Sequence, residues 1–98
     1  MGRVLQRRYG RARAPEGPST LTLDDELVAR RIGTGESKSM RAPTETWAVH
    51  PHGDPGGSVL QVQLFRQSGA RWAAWTGSYS RAKDRELAER VAAARNKS

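Results

Sequence analysis

Both histidines of the chain lie close together, and an aspartate follows at the same spacing: His50, His52 and Asp54. Two imidazoles and a carboxylate at alternate positions can bind a divalent metal, because alternate residues of an extended chain project to one side. A closed site needs more ligands, and the chain has no further histidine and no cysteine. Five Pro and Gly residues between positions 51 and 57 favour a loop instead. We therefore expect no metal here and interpret His50 and His52 as contacts to a binding partner.

The H-x-H-x-D pattern resembles the start of the zinc motif of the metallo-β-lactamase family. The next histidine of that family corresponds to Pro55 here, and the chain is far shorter than that fold. The sequence also contains neither a G-x-S-x-G motif nor a P-loop, which would indicate nucleophilic or phosphate chemistry. These observations predict a protein that has no catalytic activity and needs no cofactor.

Charge is the strongest feature of the composition. The 98 residues include 17 Lys and Arg against 10 Asp and Glu, a net charge of +7, and 14 of the cations are arginines. Arginine is the planar cation suited to phosphate and carboxylate groups, so the expected partner is nucleic acid (DNA or RNA) or the acidic surface of a nucleoprotein. No apolar run approaches the ~20 residues of a membrane span. The absence of cysteine fits a reducing compartment, so we expect a cytoplasmic protein without membrane contact.

The positive charge is concentrated at both ends of the chain. Residues 1–20 carry a net +4 and end in a Pro- and Gly-rich segment, which predicts a basic flexible arm ahead of a single domain at 21–98. Residues 80–98 carry a net +3. The predicted phosphate contacts are, in the arm, Arg3, Arg7, Arg8, Arg11 and Arg13 and, near the other end, Arg81, Lys83, Arg85 and Arg90.

The segment STLTLDDELVARRIGTG predicts a first helix. Thr22 can cap this helix, and the acidic residues at 24–26 then fall in the first turn, where the helix dipole favours anions. Gly33 can end it.

Three strands and a second helix follow. Apolar and polar residues alternate in 44–50, 58–66 and 71–79, and a turn centred on Gly69 joins the last two segments. Ser80 can cap a helix over 80–96. The apolar stripe of that helix consists of Leu87, Ala88, Val91, Ala92 and Ala94.

These elements predict an α+β domain of order α-β-β-β-α, with a three-stranded antiparallel sheet and the C-terminal helix packed on one face. The order is similar to that of the double-stranded RNA-binding domain. A three-stranded sheet followed by a helix also resembles the DNA-binding domains at integrase N-termini. The first resemblance implies that the loop at 50–55 and the segment at 77–83 contact RNA.

Aromatic residues mark a second candidate surface. Trp72 and Trp75 fall on opposite sides of the third predicted strand, so both cannot be buried on one side of the sheet, and Phe65 is expected beside one of them. Flanked by Arg66 and Arg71, exposed aromatic rings suit base stacking, which favours a nucleic-acid-binding module. The alternative function is a protein–protein adaptor or regulator that docks through the same rings and the arm. A small second core beneath the arm or the first helix would also account for these aromatic residues.

Overall fold

The computed structural model describes residues 17–98 and shows a mostly β fold. Five antiparallel strands pair in chain order into one curled sheet, and one long helix follows. The elements are β1 (Thr20–Thr22), β2 (Leu27–Ser37), β3 (Ala42–Pro51), β4 (Leu60–Phe65), β5 (Ala73–Ala74), a short 3-10 helix (Thr76–Ser78) and α1 (Ala82–Lys97). The predicted α-β-β-β-α order is wrong, because within the described residues no helix precedes the sheet and the sheet has five strands. The resemblance to the double-stranded RNA-binding domain, which depended on that order, is lost with it.

The predicted first helix is instead the hairpin of β1 and β2. The carboxylate of Asp24 accepts hydrogen bonds from the backbone N–H groups of Glu26 and Leu27 (2.7 and 2.8 Å), which closes a tight turn. The acidic residues that were expected in a first helical turn therefore form the hairpin tip. The alternation of β2 is hidden in the sequence, because Arg31 rather than an apolar residue takes the inward position after Ala29.

The predicted third strand is much shorter than the alternation at 71–79 suggests. Only Ala73 and Ala74 of β5 pair with β4. Before them, the backbone N–H and C=O of Trp72 are bound by the side-chain amide of Asn96 in α1 (2.7 and 2.9 Å). A helix side chain thus replaces a strand partner at this point, and the sequence pattern of one segment cannot show that.

The two predicted turns that flank β4 are present. Between β3 and β4, the Asp54 N–H donates to the carbonyl of Pro51 (3.1 Å), and Gly53 has a φ of 76°. Between β4 and β5, Gly69 has a φ of 74°. Both glycines adopt the left-handed conformation that other residues avoid, which explains why these segments turn where the sequence indicates.

The helix α1 packs on one face of the sheet, and the core lies between them. Ala88 and Val91 are fully buried, which confirms the central part of the predicted stripe, whereas Leu87 lies at its margin. The helix begins after Arg81, whose side chain makes no capping hydrogen bond, so the predicted cap at Ser80 is wrong. The largest fully buried side chains of the sheet are Trp47, Val49, Val62 and Leu64.

Tyr79 closes the part of β4 that β5 leaves unpaired. Its hydroxyl donates to the carbonyl of Gln61 (3.0 Å) and accepts from the N–H of Gln63 (3.4 Å). The Trp75 N–H donates to the carbonyl of Gln63 (3.1 Å). These bonds satisfy backbone groups that would otherwise form an open edge, and they hold the segment leading into α1 against the sheet.

Arg90 of α1 is joined to the hairpin tip by an exposed ion pair, in which its Nη2 lies 2.9 Å from Oδ2 of Asp24. The hydrogen bond from Arg90, together with those from the N–H groups of Glu26 and Leu27, lowers the pKa of Asp24 from its ordinary 3.8 to about 2. Because this pKa is lower in the folded protein than in the unfolded chain, the ionised carboxylate stabilises the fold above pH 3.8. That contribution is lost as the pH falls from 3.8 towards about 2.

We therefore expect Asp24→Asn to be less stable than the natural protein at neutral pH, with the difference shrinking as the pH falls from 3.8 to about 2. Urea unfolding at several pH values measures the difference. Asp25→Asn, at the same hairpin tip, is the matched control and should change stability little at any of them. A difference for Asp24→Asn that stays constant across this range would contradict the assignment.

Candidate functional site

One face of the sheet is covered by α1. On the other face some side chains are buried, such as Ala48 and His50, and others are exposed, such as Arg30 and Gln63. Residues paired across neighbouring strands point to the same face, and Trp47 and Val49 point towards α1. The opposite side is called the open face below. In the described strands β2, β3 and β4 it carries hydrogen-bonding and aromatic groups but no carboxylate. Its members include Arg30, Thr44, Thr46, Ala48, Gln61, Gln63 and Phe65.

Phe65 and Trp75 form the aromatic part of the open face. Their ring centroids are 5.0 Å apart, the rings are inclined by 42°, and both side chains are half-buried. Phe65 pairs with Ala73 across β4 and β5, and Trp75 lies two residues further along on the same side. The expectation that Phe65 lies beside one of the two tryptophans is therefore confirmed, and that tryptophan is Trp75.

Two glycines leave the neighbouring part of the open face without side chains on β2. Gly33 and Gly35 of β2 lie opposite Thr46 and Thr44 of β3. A Cβ atom on Gly35 would lie 3.3 Å from Oγ1 of Thr44, so a side chain at that position would crowd the threonine. A surface without side chains at these positions allows a ligand to approach the backbone closely.

Trp72, predicted as an exposed partner contact, is buried on the α1 side of the sheet and is 7 % exposed. The guanidinium carbons of Arg95 and Arg66 lie 4.8 and 5.1 Å from the centroid of its ring. Arg66, predicted as a phosphate contact, therefore stacks on a buried ring. Arg71, beside Trp72 in the chain, is exposed.

The predicted phosphate contacts at the end of the chain do not form one patch. Arg81 and Lys83 are exposed at the start of α1. Arg85 donates from Nη1 to the carbonyl of Tyr79 (2.9 Å), so it also helps to hold the segment before the helix. Arg90 is paired with Asp24 at the hairpin tip. The predicted contacts of the arm lie outside the described residues: Arg3, Arg7, Arg8, Arg11 and Arg13.

The two histidines at the end of β3 are bound to different backbone groups. The Nδ1–H of His50 donates to the carbonyl of Pro51 (2.8 Å), and the ring is buried, so His50 cannot reach a partner from this position. His52 is exposed, and its Nε2 lies 3.1 Å from the carbonyl oxygen of Asp24. The loop is thus docked on the β1–β2 tip. Among residues 17–98, no three His, Asp or Glu side chains are grouped as metal ligands.

A buried ionic cluster, which the sequence reasoning missed, lies on the α1 side of the sheet. Glu45 accepts hydrogen bonds from Arg95 (Nε 2.8 Å, Nη2 3.0 Å), from Nη1 of Arg31 (3.0 Å) and from the indole of Trp47 (2.9 Å). The three charged side chains are 4–7 % exposed. The sequence does contain an indication of this cluster, because Glu45 lies on the same strand face as Trp47 and Val49. A carboxylate on an apolar strand face implies a buried partner.

Opposing effects act on the pKa of the Glu45 carboxyl. Burial raises it, because desolvation disfavours the charged form. The hydrogen bonds from Arg95 and Trp47, with the charges of Arg95 and Arg31, lower it and outweigh the burial. The pKa of Glu45 therefore lies below its ordinary value, and the cluster contains an ionised carboxylate at neutral pH.

No protein-family model, no curated protein and no solved structure matches this chain. Within residues 17–98, no helix is both long and apolar enough to cross a membrane. A conclusion about function therefore depends on the geometry and chemistry of the open face.

Proposed function

We propose that this protein binds single-stranded nucleic acid, DNA or RNA, on the open face, and that it does so without catalysis. The observation that carries the proposal is the Phe65–Trp75 pair, which lies on the side of the sheet opposite to α1. Stacking of a base on an aromatic side chain contributes about 1–3 kcal/mol. A pair of rings beside a hydrogen-bonding surface that carries no carboxylate is suited to contact with bases.

The aromatic pair favours a single strand over a duplex. In a duplex the faces of the bases are stacked on one another, and only their edges are accessible in the grooves. Rings that lie on a sheet surface can stack only on bases that are already exposed, as they are in a single strand. The open face therefore fits an unpaired segment of DNA or RNA.

Cations near the open face support the same proposal. Arg30 is exposed on the face itself, and Arg81 and Lys83 are exposed just after the segment that Tyr79 holds at the sheet edge. The whole chain carries a net charge of +7. A phosphate backbone that follows the aromatic pair would be attracted by this charge, and its binding would release counterions. We place this activity in the cytoplasm, in keeping with a chain that contains no cysteine.

Fluorescence anisotropy with labelled single-stranded and double-stranded oligonucleotides, titrated with potassium chloride, tests the proposal. We expect binding of the single strands at low salt, weaker binding of the duplex, and a steep decrease in affinity as salt is added. The steepness follows from counterion release, about 0.7 per neutralised phosphate for a single strand. Absence of single-strand binding at low salt would refute the proposed function.

The contribution of the arm can be measured in the same titration. Replacing its five arginines with glutamine keeps the length of the arm and removes its charge. If all five contact phosphates, the slope of log affinity against log salt should become shallower by about 3.5. Replacing Lys38, which is exposed at the β2–β3 turn, with glutamine is a control for a general effect of charge. An unchanged slope in the arm variant would show that the arm does not contact the backbone.

A protein partner is the alternative, since aromatic side chains also dominate protein interfaces. If the aromatic pair serves an adaptor or regulator of that kind, Trp75→Ala should leave oligonucleotide affinity unchanged at every salt concentration. If a base stacks on Trp75, the same variant should bind oligonucleotides more weakly. One variant in one assay therefore separates the two functions.

A further inference from the structure

A cavity of about 420 Å³ opens beside β4, next to the aromatic pair. Every described residue that lines it is uncharged, and each carries a hydrogen-bonding side chain except Val62, whose side chain is buried on the α1 side. Such a lining is unsuited to a phosphate and suits a ring that offers both donors and acceptors at its edge. The lining residues are Thr46, Gln61, Val62, Gln63, Ser78 and Tyr79.

Two glutamines of β4 supply the main hydrogen-bonding groups of this cavity. Gln61 and Gln63 are both exposed and, being two residues apart on one strand, project to the same face. Their backbone groups are held by Tyr79 and Trp75 (3.0 to 3.4 Å). Among residues 17–98 their side-chain amides make no hydrogen bond. The backbone is therefore fixed, while two donor–acceptor groups remain available to a ligand.

The cavity is close to the aromatic pair along the chain and through hydrogen bonds. Gln63 lies two residues before Phe65, and its carbonyl accepts the N–H of Trp75 (3.1 Å). A base stacked on Phe65 or Trp75 would therefore have the next nucleotide of the same strand near Gln63. One face of the sheet thus combines a stacking surface with a polar recess for a neighbouring base.

We infer that the cavity holds one unstacked base and that the amides of Gln61 and Gln63 read its edge, an inference that rests on the proposed single-strand binding. A glutamine amide forms two parallel hydrogen bonds with adenine, through one donor and one acceptor. On the N6–N7 edge adenine offers one donor and one acceptor, whereas guanine offers two acceptors, so amides that read this edge select adenine. Each such pair distinguishes the right base from the wrong one by about 5- to 150-fold in affinity, which corresponds to about 1–3 kcal/mol.

The test uses the full chain and a set of single-stranded oligothymidylates that differ at one central position. That position carries adenine, cytosine, guanine, thymine or an abasic site, and affinities are measured by fluorescence anisotropy. We expect the adenine strand to bind about tenfold more tightly than the abasic strand. The double variant Gln61→Met and Gln63→Met should still bind single strands but should bind all five alike.

Gln67→Met is the matched control, because Gln67 is exposed in the β4–β5 turn and does not line the cavity. It should keep the adenine preference. Equal binding of all five strands by the natural protein, or preference for another base, would overturn the inference. An adenine preference that survives in the double variant would overturn the role of the glutamines. Failure of the proposed function differs from these results, since none of the five strands would then bind.

Discussion

Replacing Glu45 with glutamine is expected to lower the free energy of unfolding by about 3 kcal/mol or more, the largest stability effect that we predict for a single substitution. Glutamine keeps the shape of the side chain but removes its charge, so Arg31 and Arg95 remain buried without their carboxylate. Urea unfolding followed by tryptophan fluorescence measures the change.

Glu36→Gln is the control for this substitution. Glu36 lies on the neighbouring strand β2 but is exposed, so the loss of its charge should change stability by no more than about 0.5 kcal/mol. If Glu45→Gln also remained within that range, the cluster would not be the stabilising feature that its burial and hydrogen bonds indicate.

Replacing all three charged residues of the cluster should lower the free energy of unfolding by less than replacing Glu45 alone. When a buried ionic group is replaced by apolar side chains of similar size, stability often changes little, because the desolvation of the charges is avoided. We therefore expect a variant with Arg31→Met, Glu45→Leu and Arg95→Met to be more stable than Glu45→Gln alone. A triple variant less stable than Glu45→Gln would indicate that the two arginines have a stabilising role that does not depend on the carboxylate.

Replacing Trp75 with alanine is expected to weaken single-strand binding by about five- to a hundredfold, the largest effect on binding that we predict. The physical reason is the loss of the ring that stacks on a base beside Phe65. Trp75→Phe keeps an aromatic ring and should recover most of the affinity. Fluorescence anisotropy at low salt measures both variants, and far-ultraviolet circular dichroism shows whether they are folded.

Val59→Ala is the control for the loss of an exposed apolar side chain. Val59 is 59 % exposed just before β4 and lies away from the aromatic pair along the strand. Its replacement should leave the affinity unchanged. If a folded Trp75→Ala variant binds within twofold of the natural protein, stacking on the open face is not how this protein binds nucleic acid.

Local patterns in the sequence were sufficient for three parts of the fold. The alternation of Val62 and Leu64 with polar residues correctly indicates β4, since side chains of a strand alternate between its faces. The glycines at 53 and 69 mark turns because each adopts a positive φ. The stripe around Ala88 and Val91 identifies α1 and the side that it buries.

The N-terminal hairpin was mispredicted because the same residues serve two local structures. An aspartate that bonds nearby backbone N–H groups can begin a helix or close a turn, and Asp24 closes a turn. Residues 27–37 form a strand instead of a helix because β2 pairs with β3 from Leu27 to Ser37. That pairing is a tertiary contact, and the local pattern of residues 21–33 contains no information about it.

The sequence by itself determined the charge of this protein, its C-terminal helix and the existence of polar and aromatic residues at alternate strand positions. Only the tertiary structure decided which of those residues face outward. Trp72 is buried because Asn96 of α1 binds its backbone, whereas Trp75 lies beside Phe65 on the open face. The partners of Glu45 are 14 and 50 residues away in the chain, so their meeting depends on how strands and helix pack together and not on any local pattern.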